Sequence, residues 1–381
     1  MTGLDEALLD DEEALGQADS AHVLRALAGA GAQVRQAIER TAESVPDSAR
    51  FTDRPRAVIV AGRGGSALVA DALAALIGPS GPVPVVALTG GALPAWVGAL
   101  DLVVAVSMSG RAEGAVSIAA EAGRRGASVL SVSTPDSPLG EVSARYRAAH
   151  VAVPQRGNGA IPIATTRTGL WSMLTPALLL CSELGLIPDG PDTGPAGLSA
   201  LADALDAEAE ACRPASPAFV NPAKALAMEL HNTVPVVLGN GPMATVAAHR
   251  AAAALARTAR IPAAFGALPD DAGDVVATFG GPFAAREHDV FADPFVDGPS
   301  GPLLRLLMLT LAEDRTETVV ADIAQRNGVR VSDVRSDQDT PLRTFGQVVA
   351  RVDFAATYLA LAGGHDPSVN PQVADLRDAL R

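Results

Sequence analysis

The chain has 381 residues, a length that suits two domains rather than one. Hydrophobic residues make up 48% of the sequence but aromatic residues only 3%, so the core must be built from aliphatic side chains. Such a core suits buried parallel strands covered by alanine-rich helices. The formal net charge of −14 argues against nucleic acid or an anionic membrane as a partner.

The cysteines and histidines indicate neither a disulfide framework nor a metal site. The two cysteines, Cys181 and Cys212, form no C-x-x-C pair, and residues 1–30 show no signal-peptide pattern. We therefore predict a reduced protein located in the cytoplasm. The six histidines lack helical metal-ligand spacing, so we predict no metal site. The most apolar stretch, residues 173–186, is too short to span a bilayer and predicts a buried helix.

From the N-terminus, the sequence predicts an acidic leader and then a helix. Residues 1–15 carry an acidic run, and apolar residues between 20 and 42 recur at helical spacing. We expect this amphipathic helix to pack on the first lobe. Short apolar runs then alternate with helical segments; strands are predicted at 57–61, 83–88, 102–106, 128–132 and 148–153, with helices ending at 77 and spanning 112–125. This alternation predicts a parallel sheet covered on both faces.

The second half of the chain repeats the α/β pattern. Residues 187–218 are rich in Pro, Gly, Asp and Ala, which is typical of an inter-lobe segment. Beyond them, strands are predicted at 235–238, 303–310 and 329–335, and helices at 243–260, 316–327 and 342–362. We predict an α/β protein with two flavodoxin-like domains, each a mostly parallel sheet flanked by helices. The expected boundaries are 1–50 for the acidic leader and helix, 51–190 for the first domain, 191–218 for the linker, and 219–381 for the second domain with its C-terminal helix.

The first glycine-rich turn, Gly62-Arg-Gly-Gly-Ser66, follows an apolar strand. Gly62, Gly64 and Ala67 satisfy a relaxed dinucleotide-binding pattern. A nicotinamide site also needs an acidic residue about 20 positions further on. Residues 85–92 read VVALTGGA and contain no acid. An NAD-dependent oxidoreductase is therefore disfavoured, and we predict no cofactor.

The second turn, Ser107-Met-Ser-Gly110, lies between a predicted strand and a predicted helix. Two hydroxyls one residue apart, beside a helix N-terminus, can hold phosphate oxygens. Serines at such positions also serve simply as helix caps. The motif alone leaves both interpretations open.

Taken together, the two turns resemble the sugar isomerase (SIS) fold, and within it the bifunctional phosphoglucose/phosphomannose isomerase family. The resemblance covers nearly the whole chain, and further support comes from Asn221–Ala227, Pro235–Gly241 and Asp353–Pro367. It implies that Gly64, Gly65 and Ser66 border the sugar, that Ser107 and Ser109 hold its phosphate, and that Arg167 lies near the family's active-site arginine. It also implies a phosphorylated hexose as the ligand and a homodimer.

The chain departs from the family pattern where catalysis is expected. After Arg111, the sequence Ala112-Glu-Gly114 replaces a Thr-Glu-Glu run, so one phosphate hydroxyl is missing, and Arg111 either compensates or faces solvent. By resemblance, Arg257 stands where the family has its catalytic Glu, and Gly273 lies near the place of its His. Arginine cannot act as a general base at neutral pH. The family's C-terminal lysine is also missing, since Lys224 is the last lysine of the chain.

A replacement base would have to come from another carboxylate or histidine. The weak candidates are Asp270, Asp271 and His231, and Asp274 and Glu229 are further possibilities. Loop composition favours a polar surface loop for the three aspartates, and the position of His231 and Glu229 at a helix end favours a helix-terminal role over catalysis. Two hypotheses follow for the whole chain. It is either an isomerase of hexose 6-phosphates with a relocated base, or a catalytically inactive sugar-phosphate sensor or scaffold.

Overall fold

The computed structural model describes residues 3–44, 54–153, 165, 167–284, 301–311 and 314–379. The chain divides into two compact units. The first-sheet unit contains residues 25–207 and 340–343. The second-sheet unit contains residues 1–24, 208–339 and 344–381.

Among the described residues, five parallel strands form the first sheet in the order β2-β1-β3-β4-β5. The strands are β1 (Val58–Ala61), β2 (Val85–Leu88), β3 (Leu102–Ser107), β4 (Ser128–Ser133) and β5 (Ala149–Ala152). Every residue of β1 and β3 is buried, which explains why these strands are continuously apolar rather than alternating. β1 and β3 are hydrogen-bonded neighbours, so their carboxyl ends lie side by side at one edge of the sheet.

The second sheet has the parallel order β7-β6-β8-β9 in the described part of the chain. Its strands are β6 (Thr233–Asn240), β7 (Ala264–Leu268), β8 (Leu303–Thr310) and β9 (Arg330–Arg335). This order repeats that of the first four strands of the first sheet, with β6 in the place of β1. The sequence did not predict β7, because its run Ala-Phe-Gly-Ala-Leu contains no β-branched residue and it lies half exposed at the sheet edge.

Helices flank both sheets, which confirms the predicted fold. In chain order, the helices of the described residues are α1 (Glu6–Asp10), α2 (Glu12–Ala18), α3 (Val23–Ala28), α4 (Ala30–Ser44), α5 (Leu68–Ile77), α6 (Glu113–Arg124), α7 (Pro138–Tyr146), α8 (Leu170–Glu183), α9 (Gly194–Ala211), α10 (Pro222–Leu230), α11 (Pro242–Ala254), α12 (Ala272–Ala277), α13 (Arg315–Arg326), α14 (Pro341–Ala362) and α15 (Pro371–Ala379). A π-helical turn, Leu255–Ala259, continues α11. None of the described helices is both long and apolar enough to cross a membrane.

Three segments differ in detail from their sequence-based expectation. The acidic leader contains α1 and α2, and each of these short helices has an aspartate cap, Asp5 or Asp11. The single helix expected between 20 and 42 is two helices, of which α4 packs on α8 and β5 in the first-sheet unit. The segment predicted to link the lobes contains α9, and the division between the two units falls within this helix.

Candidate functional site

The carboxyl ends of β1 and β3 bring the two predicted turns to one edge of the first sheet. We call this region the serine edge and define it by the loops Gly62–Ser66 and Ser107–Arg111. Ligands of open parallel sheets bind at the carboxyl ends of the strands. The serine edge is therefore where the fold itself favours a ligand.

The Ser107–Arg111 loop leaves the N-terminus of α6 without a side-chain cap. Ala112 holds the N-cap position, and no described side chain accepts a capping hydrogen bond there. The hydroxyl oxygens of Ser107 and Ser109 accept long hydrogen bonds of 3.4 Å each, from the N–H groups of Ala112 and Arg111 respectively. The first N–H groups of the helix therefore remain able to bind an anion. This geometry favours the phosphate interpretation over simple capping.

Buried hydroxyls behind the loop fix its shape. The Thr134 hydroxyl donates to the carbonyl of Ser109 at 3.2 Å, and the Thr134 N–H donates to the carbonyl of Met108 at 3.3 Å. Gly110 has φ +64° and lies so close to α7 that a Cβ there would come within 2.1 Å of Ser137 Oγ. Sequence reasoning missed these supporting residues, although the run Ser133-Thr-Pro-Asp-Ser137, which begins at the last residue of β4, marks a capped turn.

The Gly62–Ser66 loop brings backbone rather than side chains to the edge. Gly64 has φ +61°, and a Cβ on Gly62 would come within 2.7 Å of the Ser66 carbonyl, so both positions require glycine. The Ser66 side chain is buried, and its hydroxyl donates to Met173 Sδ at 3.3 Å. Gly64 is exposed and Gly65 half-buried, so their backbone is what a ligand meets first.

A third glycine segment packs beside these loops. Gly114, in the first turn of α6, lies so close to Gly90 that a Cβ on Gly114 would come within 3.1 Å of Gly90 Cα. The loop after β2 therefore lies against the N-terminus of α6. The sequence motifs gave no signal for this contact, because it joins residues that are 24 positions apart.

The two predicted arginines differ in their surroundings. Arg111 is exposed at the serine edge. Arg167 is half-buried in the turn before α8, where its N–H donates to Thr165 Oγ1 at 3.2 Å. Residues 154–164 and 166 lie outside the described residues, so the expectation for Arg167 rests on this turn alone.

The structure does not bring the three candidate bases together. Asp270 and Asp271 follow the carboxyl end of β7, whereas His231 precedes the amino end of β6, at the opposite edge of the second sheet. The Asp271 carboxylate accepts a 2.6 Å hydrogen bond from the Ala267 N–H, and Asp270 is exposed. Asp271 therefore holds its own turn in place.

Other acid–base candidates of the second-sheet unit have structural partners. Glu229 accepts hydrogen bonds from Arg305 at 2.8 Å and from Ser332 at 2.5 Å. The His249 ring stacks on Phe265 with centroids 4.6 Å apart. These contacts account for both residues without catalysis.

One titratable group that the sequence analysis missed is Glu317, in a cavity of about 380 Å³ at the carboxyl end of β8. Burial raises the pKa of Glu317 to about 7, and the charges of Asp333 and Asp314 act in the same direction. The Thr310 hydroxyl oxygen lies 3.3 Å from Glu317 Oε2 and 3.1 Å from Asp333 Oδ1. A carboxyl with this pKa can exchange a proton at neutral pH. No local motif marks it, because its partners come from three separate elements.

The fold and the serine edge define the class: the chain has the fold of SIS-domain phosphosugar isomerases. It is similar to a hypothetical protein, TT0462, from Thermus thermophilus, with a TM-score of 0.67 and 15% identity over 99% of this chain and 96% of that chain. It is also similar to a glucose-6-phosphate isomerase like protein from the same organism, with a TM-score of 0.54 and 17% identity over 95% of this chain and 98% of that chain. These likenesses establish the fold.

The second half of the chain also matches a known family in sequence. Residues 219–380 match the model of the bacterial phospho-glucose isomerase C-terminal SIS domain. A bifunctional phosphoglucose/phosphomannose isomerase from Caldicellulosiruptor bescii is 24% identical over 329 residues, or 85% of this chain and 89% of that protein. The resemblance predicted from the sequence is confirmed.

Proposed function

We propose that the protein binds a phosphorylated hexose at the serine edge, with the phosphate against Ser107, Ser109 and the N-terminus of α6. The uncapped start of α6 carries this proposal, since its free N–H groups and its dipole favour an anion. Arg111, exposed on the same loop, supplies a guanidinium that can pair with the phosphate. The exposed backbone of Gly64 leaves room for the sugar.

The name of the Caldicellulosiruptor relative supports glucose 6-phosphate and mannose 6-phosphate as the ligands to test first. By the same resemblance, we propose that the protein is a cytoplasmic homodimer and that Gly65, Ser66 and Arg167 contribute to the sugar site. No cofactor or metal enters this proposal.

For the reaction itself, we favour a sensor or scaffold that binds the sugar phosphate without isomerising it. The guanidinium of Arg257 cannot accept a proton from a sugar carbon. Asp271 is engaged by its own backbone turn, and Asp270 and His231 lie at opposite edges of their sheet. A second candidate function is an isomerase with a relocated base, and the pKa of Glu317, about 7, is the observation that favours it.

The test of binding is calorimetric titration with glucose 6-phosphate, fructose 6-phosphate and mannose 6-phosphate. The variant Ser109→Ala removes one phosphate hydroxyl and should weaken binding by roughly tenfold or more, since a hydrogen bond to a charged group contributes about 1.5–3 kcal/mol. The matched control is Ser117→Ala. Ser117 lies on α6, and its exposed hydroxyl donates to the Gly114 carbonyl, its partner among the described residues. An unchanged affinity in Ser109→Ala, or no binding to any of the three sugars by the native protein, would contradict the proposed site.

The test of catalysis is NMR in D₂O on the same samples, following aldose–ketose conversion and deuterium incorporation at carbon 2. Binding without conversion or exchange supports the sensor. Conversion supports the isomerase, and Glu317→Gln should then abolish it whereas Asp270→Asn, at an exposed position, should not. If conversion survives Glu317→Gln, Glu317 is not the base.

A further inference from the structure

The π-helical turn after α11 carries two arginines that the fold leaves incompletely bonded. Arg257 lies inside the turn, and Arg260 follows it in the left-handed conformation, with φ +60°. π-helical turns are rare and occur frequently at functional sites. The two arginines are therefore candidates for a functional role.

Buried N–H groups of both arginines have no acceptor. The Nε atoms of Arg257 and Arg260 are shielded from solvent and have no hydrogen-bond partner among the described residues. The rest of the Arg260 guanidinium is anchored, since Nη2 donates to the Val369 carbonyl at 3.1 Å and Nη1 lies 3.4 Å from His365 Nδ1. Native proteins satisfy nearly all buried donors, and leaving a charged one unpaired costs free energy.

Arg250, which lies on α11, is an arginine with a structural role and serves as a comparison. It lies seven residues before Arg257, and its Nε and Nη2 donate to the two carboxylate oxygens of Asp353 at 3.2 and 2.7 Å. A helix C-terminus does favour a cation, but the exposed Arg326 at the end of α13 meets that need without burying an N–H. Neither structural explanation accounts for the unpaired Nε atoms of the π-helical turn.

We propose that Arg257 and Arg260 form an oxyanion site on the second-sheet unit that takes a phosphoryl group. A guanidinium offers N–H donors in a planar fork that matches phosphate oxygens, and burial strengthens such charge-assisted bonds. The carboxylate of Asp366 interacts with Arg260, whereas no described carboxylate pairs with Arg257. The positive charge of Arg257 is therefore available to a ligand. This inference is argued from contacts within the second-sheet unit and does not depend on the sugar-phosphate site proposed above.

The binding experiment uses inorganic phosphate and the full-length chain. In the double variant Ser107→Ala/Ser109→Ala, which removes the phosphate hydroxyls of the serine edge, phosphate should still bind. Adding Arg257→Gln should weaken that binding at least about tenfold, because a bidentate charged contact is lost. Adding Arg326→Gln instead, at an exposed helix end, should leave it unchanged. Absence of phosphate binding in the double variant, or equal binding with and without Arg257, would overturn the proposal.

Glucose 6-phosphate on the same double variant distinguishes the source of the phosphoryl group. Tighter binding than inorganic phosphate, with the same dependence on Arg257, identifies the sugar's phosphoryl group as the occupant. Equal binding identifies free phosphate. Failure of the serine edge to bind a sugar phosphate would leave this site untouched, so the two proposals fail separately.

The melting temperature without ligand separates the two roles of Arg257. Removing a structural arginine should lower it, whereas removing a ligand-binding arginine should not. Arg257→Met removes an unpaired buried N–H and should raise the melting temperature or leave it unchanged, whereas Arg250→Met breaks the pair with Asp353 and should lower it. In the Ser107→Ala/Ser109→Ala background, phosphate should then stabilise the protein that keeps Arg257 but not the one that carries Arg257→Met. Equal destabilisation by the two variants would assign Arg257 to the structure rather than to a ligand.

Discussion

The only lysine of the chain, Lys224, should be a structural anchor of the second-sheet unit. Its side chain is fully buried, and its ammonium donates to the carbonyls of Pro214 and Ser216 at 2.6 and 2.7 Å. It also lies 5.4 Å above the Tyr358 ring. Lys224→Met keeps the aliphatic length but removes both bonds and leaves two carbonyl oxygens without this donor.

The magnitude follows from those contacts. Each charge-assisted bond contributes about 1.5–3 kcal/mol, and each unsatisfied carbonyl costs about 1–3 kcal/mol, part of which is offset because a buried charge is also removed. We expect Lys224→Met to lower the free energy of unfolding by about 2–4 kcal/mol, measured by urea unfolding. Arg326→Met, which removes an exposed cation, is the control and should change it by less than about 0.5 kcal/mol.

Amine labelling gives a second measurement, because Lys224 and the N-terminus are the only primary amines. In the native protein an amine-reactive reagent should modify the N-terminal amine and spare Lys224, and urea should expose both. Rapid native labelling of Lys224, or an unchanged urea midpoint in Lys224→Met, would refute the assignment of a buried anchor.

Three further predictions concern buried ionisable groups. Asp353→Asn should destabilise the protein by about 3–5 kcal/mol in urea unfolding, because it leaves the Arg250 charge buried without its counter-ion. Burial lowers the pKa of His150, so below about pH 6.5 the unfolded state binds a proton before the folded state does, and stability falls as the pH drops from about 6.5 towards the folded pKa. The urea midpoint of His150→Asn should therefore fall less between pH 7.5 and 5.5 than that of the native protein. The raised pKa of Glu317 has the opposite sign, because the folded state keeps a proton that the unfolded state releases as the pH rises from about 4.5 to 7; Glu317→Gln should therefore gain about 1–3 kcal/mol at pH 8 and nothing near pH 4. If the stability of one of these two variants depends on pH in the same way as that of the native protein does, the pKa shift assigned to that residue is wrong.

The sheet architecture was predictable because its signals are local. The buried strands β1 and β3 are apolar runs that end at a glycine or serine turn, and β8 is a similar run that contains Arg305, so the sequence marks all three nearly to the residue. Strand β7 was not predicted, because its alanines and glycine have low strand propensity and its structure depends on pairing with β6. Helix α9 was not predicted, because the Pro- and Gly-rich ends of its segment indicated a linker although the centre is alanine-rich.

Of the candidate site, only the part proposed to bind phosphate was predictable from the sequence. The serine motif is contiguous, so the sequence displays it, and the structure adds that α6 has no described cap. Glu317 depends on α13 packing against β8 and β9, and no spacing in the sequence signals that proximity. The unpaired Nε of Arg257 is likewise a property of packing, since the sequence shows only an arginine near a helix end.

The two sheets share a strand order, yet their carboxyl edges have opposite electrostatic character. After β3, the helix α6 begins without a side-chain cap and beside two hydroxyls. After β8, the helix α13 is capped by Asp314, whose carboxylate accepts hydrogen bonds from the N–H groups of Arg315 and Thr316 and so occupies the place of an anion. Glu317 adds a second carboxyl at that edge. Since the peptide dipoles of both helices favour an anion equally, the cap decides which edge can accept a phosphate from solution. The repeated fold therefore places a helix N-terminus at a strand end twice, and the residue that precedes each helix makes the serine edge, rather than the carboxyl end of β8, the one that suits the proposed phosphate.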